Sequence, residues 1–292
     1  MSAMLSYISD GITLGLIYAL VASGYSLIFS ILRMINFSHG SIYAFSAMIA
    51  LFLIGYMNPW IAMLISMALT GALAIALDKV CIEPLRKKNS PALSTLITTI
   101  GLSYVIQNAL IMIWGSQRRG FQSFFDFGPI CIGPLEISSK KLFVAAVAIT
   151  LMGLLAWIIN RTHAGLSIRA VQQNPKAASM IGVNVHRVIL ITFFIAGVSA
   201  SIAGTLVAGY YGVAYPTMGV SMGNKTLASA LLGGLGSMTG SLIGGVIVGV
   251  LESIVSGLLG PTYKDAVSFV LLILIMVIRP SGLLGKKNMN KV

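Results

Sequence analysis

The feature that most limits how this chain can fold is a succession of apolar runs of about 20 residues, broken by short basic stretches. As a helix, such a run spans the roughly 30 Å hydrocarbon core of a bilayer. Of 292 residues 57% are hydrophobic and only 9% charged, and mean hydropathy is strongly positive. No soluble core of this size needs so much apolar sequence. The pattern predicts one all-α, polytopic membrane domain over residues 1–292, with helices at 12–32, 42–57, 60–78, 92–114, 142–159, 188–208, 238–258 and 266–279. A further apolar piece, 226–235, is too brief to cross.

The charges orient these spans. A net charge of +12 could point to nucleic acid, but the Lys and Arg residues lie between apolar segments and form no single patch. They read as topology signals beside lipid headgroups, with no nucleic-acid partner. Residues 1–11 contain no Lys or Arg, so the first apolar segment lacks the basic start of a signal peptide and reads as a retained helix. Arg33, the loop 79–90 (Lys79, Arg86, Lys87, Lys88), the loop 160–187 (Arg161, Arg169, Lys176, Arg187) and the tail (Arg279, Lys286, Lys287, Lys291) then share the cytoplasmic side. This puts the N-terminus outside and the C-terminus inside. The loop 115–141 argues back: it is external here, yet it carries Arg118, Arg119, Lys140 and Lys141, partly offset by Asp126 and Glu136. Its aromatic run, Phe121, Phe124, Phe125 and Phe127, is expected to rest on the bilayer interface or a neighbouring helix. Cys81 and Cys131 fall in loops on opposite faces, so neither a disulfide nor a metal site is expected.

Within the loop 160–187, the segment 174–182 reads as a short, self-terminated helix. Asn174 is placed to cap the first turn, and Pro175 at the first helical position loses an amide that had no helical partner. Gly182 suits the left-handed conformation that ends a helix. The small residues Ala177 and Ala178 are expected on its surface, with Lys176 beside them. A rod of this kind suits insertion into a groove on another protein.

Three further places could carry function. The glycine-rich stretch from Gly233 and Gly234 through Gly236 to Gly240 is too flexible for a rigid helix centre. With 226–235 it fits a re-entrant half-helix and sharp turn over 226–240, lying against a translocation path or deep in the bundle. A plain kinked hairpin is the alternative. The stretch 34–41 breaks two apolar segments without strong charge and offers Asn36, Ser38 and His39 as hydrogen-bonding groups. It reads either as a helix broken within the membrane, presenting polar groups to a solute, or as a cytoplasmic turn satisfied by water. Glu252 is the acid well inside an apolar segment. It is a functional candidate by position, or a residue that reaches the outer interface and pairs with Lys264. Repeats of small residues (Gly236, Gly240 and Gly244; Gly245 and Gly249; Gly11 and Gly15; Ala200, Gly204 and Ala208) indicate close helix packing.

No G-x-x-x-x-G-K-[ST] phosphate loop, His-Glu-x-x-His or Gly-x-Ser-x-Gly occurs, and His39, His163 and His186 are scattered. The chain reads as a non-enzyme with no catalytic residues. An ion-coupled secondary transporter or channel is the competing class. It would leave the capped helix unexplained, and the sequence displays no internal repeat of the kind such transporters use.

Three stretches carry a family resemblance: Leu32-Arg33-Met34-Ile35-Asn36-Phe37-Ser38-His39-Gly40; Arg169-Ala170-Val171-Gln172-Gln173-Asn174-Pro175-Lys176-Ala177-Ala178, continuing to Gly182-Val183-Asn184; and Leu232-Gly233-Gly234-Leu235-Gly236-Ser237-Met238-Thr239-Gly240. Arg279-Pro280-Ser281-Gly282-Leu283-Leu284-Gly285 matches the usual close. The chain resembles the shorter permease subunit of bacterial branched-chain amino acid ABC importers. The resemblance implies that fold, with about eight transmembrane helices and a re-entrant half-helix, in the cytoplasmic membrane. It also implies a second, longer permease, two ATPase subunits that bind ATP and Mg, and an external solute-binding protein. No cofactor is implied on this chain. In the family a loop with Glu-Ala-Ala-x-x-x-Gly spacing docks into the ATPase; Ala177, Ala178 and Gly182 fit, while Lys176 stands in place of the acid.

Overall fold

The computed structural model describes residues 2–125, 128–132, 135–279 and 281–285. Asp126, Phe127, Pro280, Lys286, Lys287 and Lys291 lie outside the described residues, as do the side chains of Cys131 and Glu136. The helices are α1 (Ser2–Leu32), α2 (His39–Ile54), α3 (Pro59–Leu77), α4 (Glu83–Lys87), α5 (Ala92–Trp114), α6 (Ser139–Arg161), α7 (His163–Gln173), α8 (Pro175–Met180), α9 (Val185–Tyr211), α10 (Met218–Gly233), α11 (Met238–Leu259) and α12 (Lys264–Ile278). A π-helical turn, Asp78–Ile82, joins α3 to α4. Among the described residues four short strands, β1 (Arg119–Gly120), β2 (Pro129–Ile132), β3 (Leu135–Ser138) and β4 (Val213–Ala214), form two small antiparallel pairs, β1 with β4 and β2 with β3.

Among the described residues seven helices are long and apolar enough to cross a membrane. The remaining predicted span, 42–57, is α2, and the piece 226–235 belongs to α10, which starts at Met218. Both have 16 residues, about 24 Å at 1.5 Å per residue and short of a full crossing. The first turns of α10 were hidden because Met218-Gly219-Val220-Ser221-Met222-Gly223-Asn224-Lys225 is polar and glycine-rich. Packing makes them helical: a Cβ on Gly219 would lie 2.3 Å from the Gly40 carbonyl oxygen.

These two short helices reveal an inverted repeat. α1 breaks into α2, which leads to α3; α9 breaks into α10, which leads to α11. α1 packs chiefly on α11, and α9 on α3. α2 lies on α9 and α10 on α1, α5 flanks α2 as α12 flanks α10, and α2 and α10 meet at the centre. The two long helices run in opposite directions, so the halves are related as inverted repeats. α6, α7 and α8 connect them.

Small residues set the spacing, as the sequence indicated. In lipid, close backbone approach replaces the hydrophobic drive between helices. A Cβ on Gly249 would sit 2.4 Å from Gly15 Cα, and one on Gly244 would sit 2.1 Å from the Ser229 carbonyl oxygen. One glycine stripe of α11 therefore receives α1 and the neighbouring stripe receives α10. Gly204 does the same for α2, where a Cβ would meet the Tyr43 carbonyl at 2.6 Å. Serines cross-link the same seams: Ser26 and Ser241 hydroxyls are 2.6 Å apart, and Ser46 donates to the Ser201 carbonyl at 3.0 Å.

One end of the bundle, the basic end, gathers Arg33, α4, α7, α8 and the segment 281–285. The other end carries β1 to β4 and an aromatic cluster. There Phe125 is fully buried and stacks on Phe143, and Phe124 meets Trp60 edge-on. Phe124 and Phe125 thus pack on helices.

Candidate functional site

The capped helix in the basic loop forms as the sequence indicated. Asn174 Oδ1 accepts from the Lys176 and Ala177 amides at 3.0 and 3.1 Å. At the other end Gly182 takes φ +86°. Its amide donates to the Ser179 carbonyl at 3.1 Å, and the Val183 amide donates to the Ala178 carbonyl at 3.0 Å. This pair of bonds is the Schellman closure of a helix. One expectation is corrected: Ala178 is buried, not on the surface, because it is the residue by which α8 rests on its neighbours. Ala177 is exposed, and the projecting apolar groups are Met180 and Ile181, 88% and 77% exposed.

The loop is tied to several helices. α7 has an apolar face of Ile168 and Val171 turned inward, and Thr162 caps it by accepting from the Gly165 amide at 3.1 Å. Arg169 donates to the Ile159 carbonyl at the end of α6, and Arg33 donates to the Gln172 carbonyl at 3.2 Å, linking α7 to α1. Asn184 caps α9 by accepting from the Arg187 amide at 3.0 Å. One residue before Arg187, His186 sits 3.4 Å from Glu83, which also pairs with Lys87 at 2.7 Å. Asp78, buried in the π-helical turn, pairs with Arg86 at 3.2 Å. α8 therefore touches α7 and α9, α7 is bonded in turn to Arg33 and to the end of α6, and α9 to Glu83 of α4.

The other sequence candidates fall in three separate layers. Asn36, Ser38 and His39 lie together and buried at the start of α2. Asn36 Oδ1 accepts from the Ser38 hydroxyl at 2.6 Å and the Ser38 amide at 3.1 Å. The His39 ring meets Tyr25 edge-on at 4.7 Å. The Phe37 amide donates to Thr99, seven residues into α5, about 10 Å along that helix at 1.5 Å per residue. The break therefore lies inside the bundle.

Gly233, Gly234 and Gly236 occupy a second layer at the basic end. A Cβ on Gly236 would lie 3.7 Å from Ser30, near the end of α1. Gly234 takes φ +103°, and the segment after α12 lies against it. There the Leu283 amide donates to the Leu232 carbonyl at 2.8 Å and the Leu284 amide to Gly233 at 3.0 Å.

Glu252 is in the third layer, toward the opposite end, fully buried. Its main partner is not Lys264, at 3.4 Å, but Lys225, whose Nζ is 2.6 Å away. The Tyr18 hydroxyl donates to the same carboxylate oxygen at 3.1 Å. Lys225 also pairs with Asp265 at 2.7 Å, and Lys264 donates to the Tyr211 hydroxyl at 2.9 Å. Lys225, 6% exposed in the middle of α10, was missed in the sequence. The signal available was Glu252 itself, since a buried acid requires a cation.

The family model described as branched-chain amino acid transport system / permease component matches residues 7–276. The chain is similar to the high-affinity branched-chain amino acid transport system permease protein LivH of Escherichia coli K12, 36% identical over 97% of this chain and 96% of the relative. It is 34% identical to the corresponding protein BraD of Pseudomonas aeruginosa, over 99% of this chain and 98% of that one. More distantly, it is 29% identical to the autoinducer 2 import system permease protein LsrC of an Enterobacter strain, over 76% of this chain and 64% of the relative. With the family match covering most of its length and near-complete alignment to two such permeases, this chain belongs to the branched-chain amino acid transport system permease family.

Proposed function

We propose that this chain forms, with a partner permease, the membrane pathway of an ATP-driven importer for leucine, isoleucine and valine delivered by an external binding protein. The observation that carries the reading is the doubly capped α8 at the basic end, with Met180 and Ile181 projecting. An apolar knob on a preformed helix costs little ordering entropy when it enters a groove, which suits repeated docking and release. The partner that offers the groove is the ATPase subunit, two per complex, and ATP and Mg bind there. Closure of the ATPase pair moves α8, and its contacts with α7 and α9 pass the movement into the bundle. The basic end faces the cytoplasm and the N-terminus faces outward, in keeping with the positive-inside rule. The inverted repeat supplies two half-helices, α2 and α10, that meet at Gly40, Gly219 and Gly223. The breaks before them, with Asn36, Ser38 and His39 at the first, are the elements that open.

The test is to tag this subunit, extract it gently from its native membrane and identify what travels with it by mass spectrometry. Two kinds of partner are expected, an ATPase and a second permease. A lone protein or homo-oligomer, from an extraction that keeps a known importer intact, would overturn the reading in favour of a secondary transporter.

A further inference from the structure

The groove between α10 and α12, toward the end opposite the basic loops, is a cavity of about 320 Å³, within the range of small-ligand sites. Its polar wall holds Ser221, Asn224, Lys225 and Asp265, and its apolar wall holds Val220 and Phe269. We propose that this groove binds the zwitterionic head of the transported α-amino acid, with Lys225 taking the carboxylate and Asp265 the ammonium. The proposal rests on the amino-acid importer reading above and gives it a binding site on this chain.

The two acids around Lys225 are not equivalent. Glu252 is fully buried and also receives Tyr18 and Lys264, so it is a fixed counter-ion behind the lysine. Asp265 is 60% exposed at the mouth of the groove and accepts from the Ser221 hydroxyl at 3.3 Å. Its pairing with Lys225 at 2.7 Å can open without stranding either charge if a zwitterion enters between them. The solute carboxylate then accepts from the ammonium of Lys225, and the solute ammonium donates to Asp265. One ion pair becomes two, and every charge stays compensated, as a partly dry site requires. The charges of Glu252, Asp265, Lys225 and Lys264 sum to zero, so a solute with net charge leaves one charge unpaired. Val220 and Phe269 lie beside the path of an apolar side chain, 47% and 48% exposed.

The experiment uses the complete importer in proteoliposomes with its binding protein and ATP. Uptake of tritiated leucine is measured for the parent, Asp265→Asn and Asp265→Glu. A diazirine analogue of leucine is photoactivated during turnover and the labelled peptides are sequenced. Asp265→Asn should cut uptake at subsaturating leucine about tenfold, the size of one lost charge-assisted hydrogen bond, and Asp265→Glu should recover most of it. The label should fall on peptides containing Val220 or Phe269 and be displaced by excess leucine. Parental uptake by Asp265→Asn, or label confined to peptides outside α10 and α12, overturns the site. A parent complex that neither accumulates leucine nor takes the label overturns the amino-acid reading, and the site with it.

Discussion

Gly182 acts through its backbone: at φ +86° it closes the helix that presents Met180 and Ile181. A β-branched residue there faces a steric cost of roughly 1–2 kcal/mol. Gly182→Val is therefore expected to unwind the end of α8 and depress uptake while the protein still inserts in normal amount. Immunoblotting beside transport assays checks this, and parental uptake would count against the docking role. Residues of this kind were legible because their chemistry is local: Asn174, Pro175 and Gly182 each state a capping role within a few positions. Ala178 and Lys225 were not, for the opposite reason. Whether a small residue faces solvent or a neighbour, and whether a lysine in a polar-looking turn is buried, depends on helices far away in sequence. Lys225 becomes tenable inside α10 only when Glu252, 27 residues later, arrives beside it.

Helices were readable wherever the apolar run was continuous, and α5 matches its predicted limits at 92 and 114. Boundaries failed at amphipathic or glycine-rich ends, as in α7 and the first turns of α10. The glycine stripes were recognised as packing surfaces, though not which helix each would receive. Gly245 faces α1, where a Cβ would lie 2.5 Å from the Ala19 amide nitrogen, whereas Gly153 on α6 has open space around it. Gly245→Leu should therefore push α1 from α11 and destabilise the protein by about 1–3 kcal/mol or more, as overpacking does. Gly153→Leu should change little. Thermal melting in detergent, followed by size-exclusion chromatography, separates the two outcomes.

At the level of the whole molecule, the inverted repeat escaped the sequence because its halves share packing roles and not residue types: His39-Gly40 opens α2, while Met218-Gly219 opens α10. Sidedness is testable directly. In a background with Cys81 and Cys131 replaced by serine, Ser179→Cys should react with a membrane-impermeant maleimide only after the cytoplasmic face is exposed. Ser116→Cys should react in intact cells. The reverse pattern would invert the topology and remove α8 from any cytoplasmic ATPase. The arrangement also sets a problem for biogenesis. α1 leaves the ribosome first, yet its chief partner, α11, begins roughly 200 residues later, or roughly 10–40 s at ordinary rates of synthesis. Through that interval the stripe of Gly11, Gly15, Ala19 and Ser26 faces lipid or the insertion machinery instead of α11. Small side chains make that wait tolerable, since they expose little polarity and leave no bulky surface for a wrong helix to grip. The same residues that permit tight packing at the end thus keep the first helix uncommitted until its partner is made.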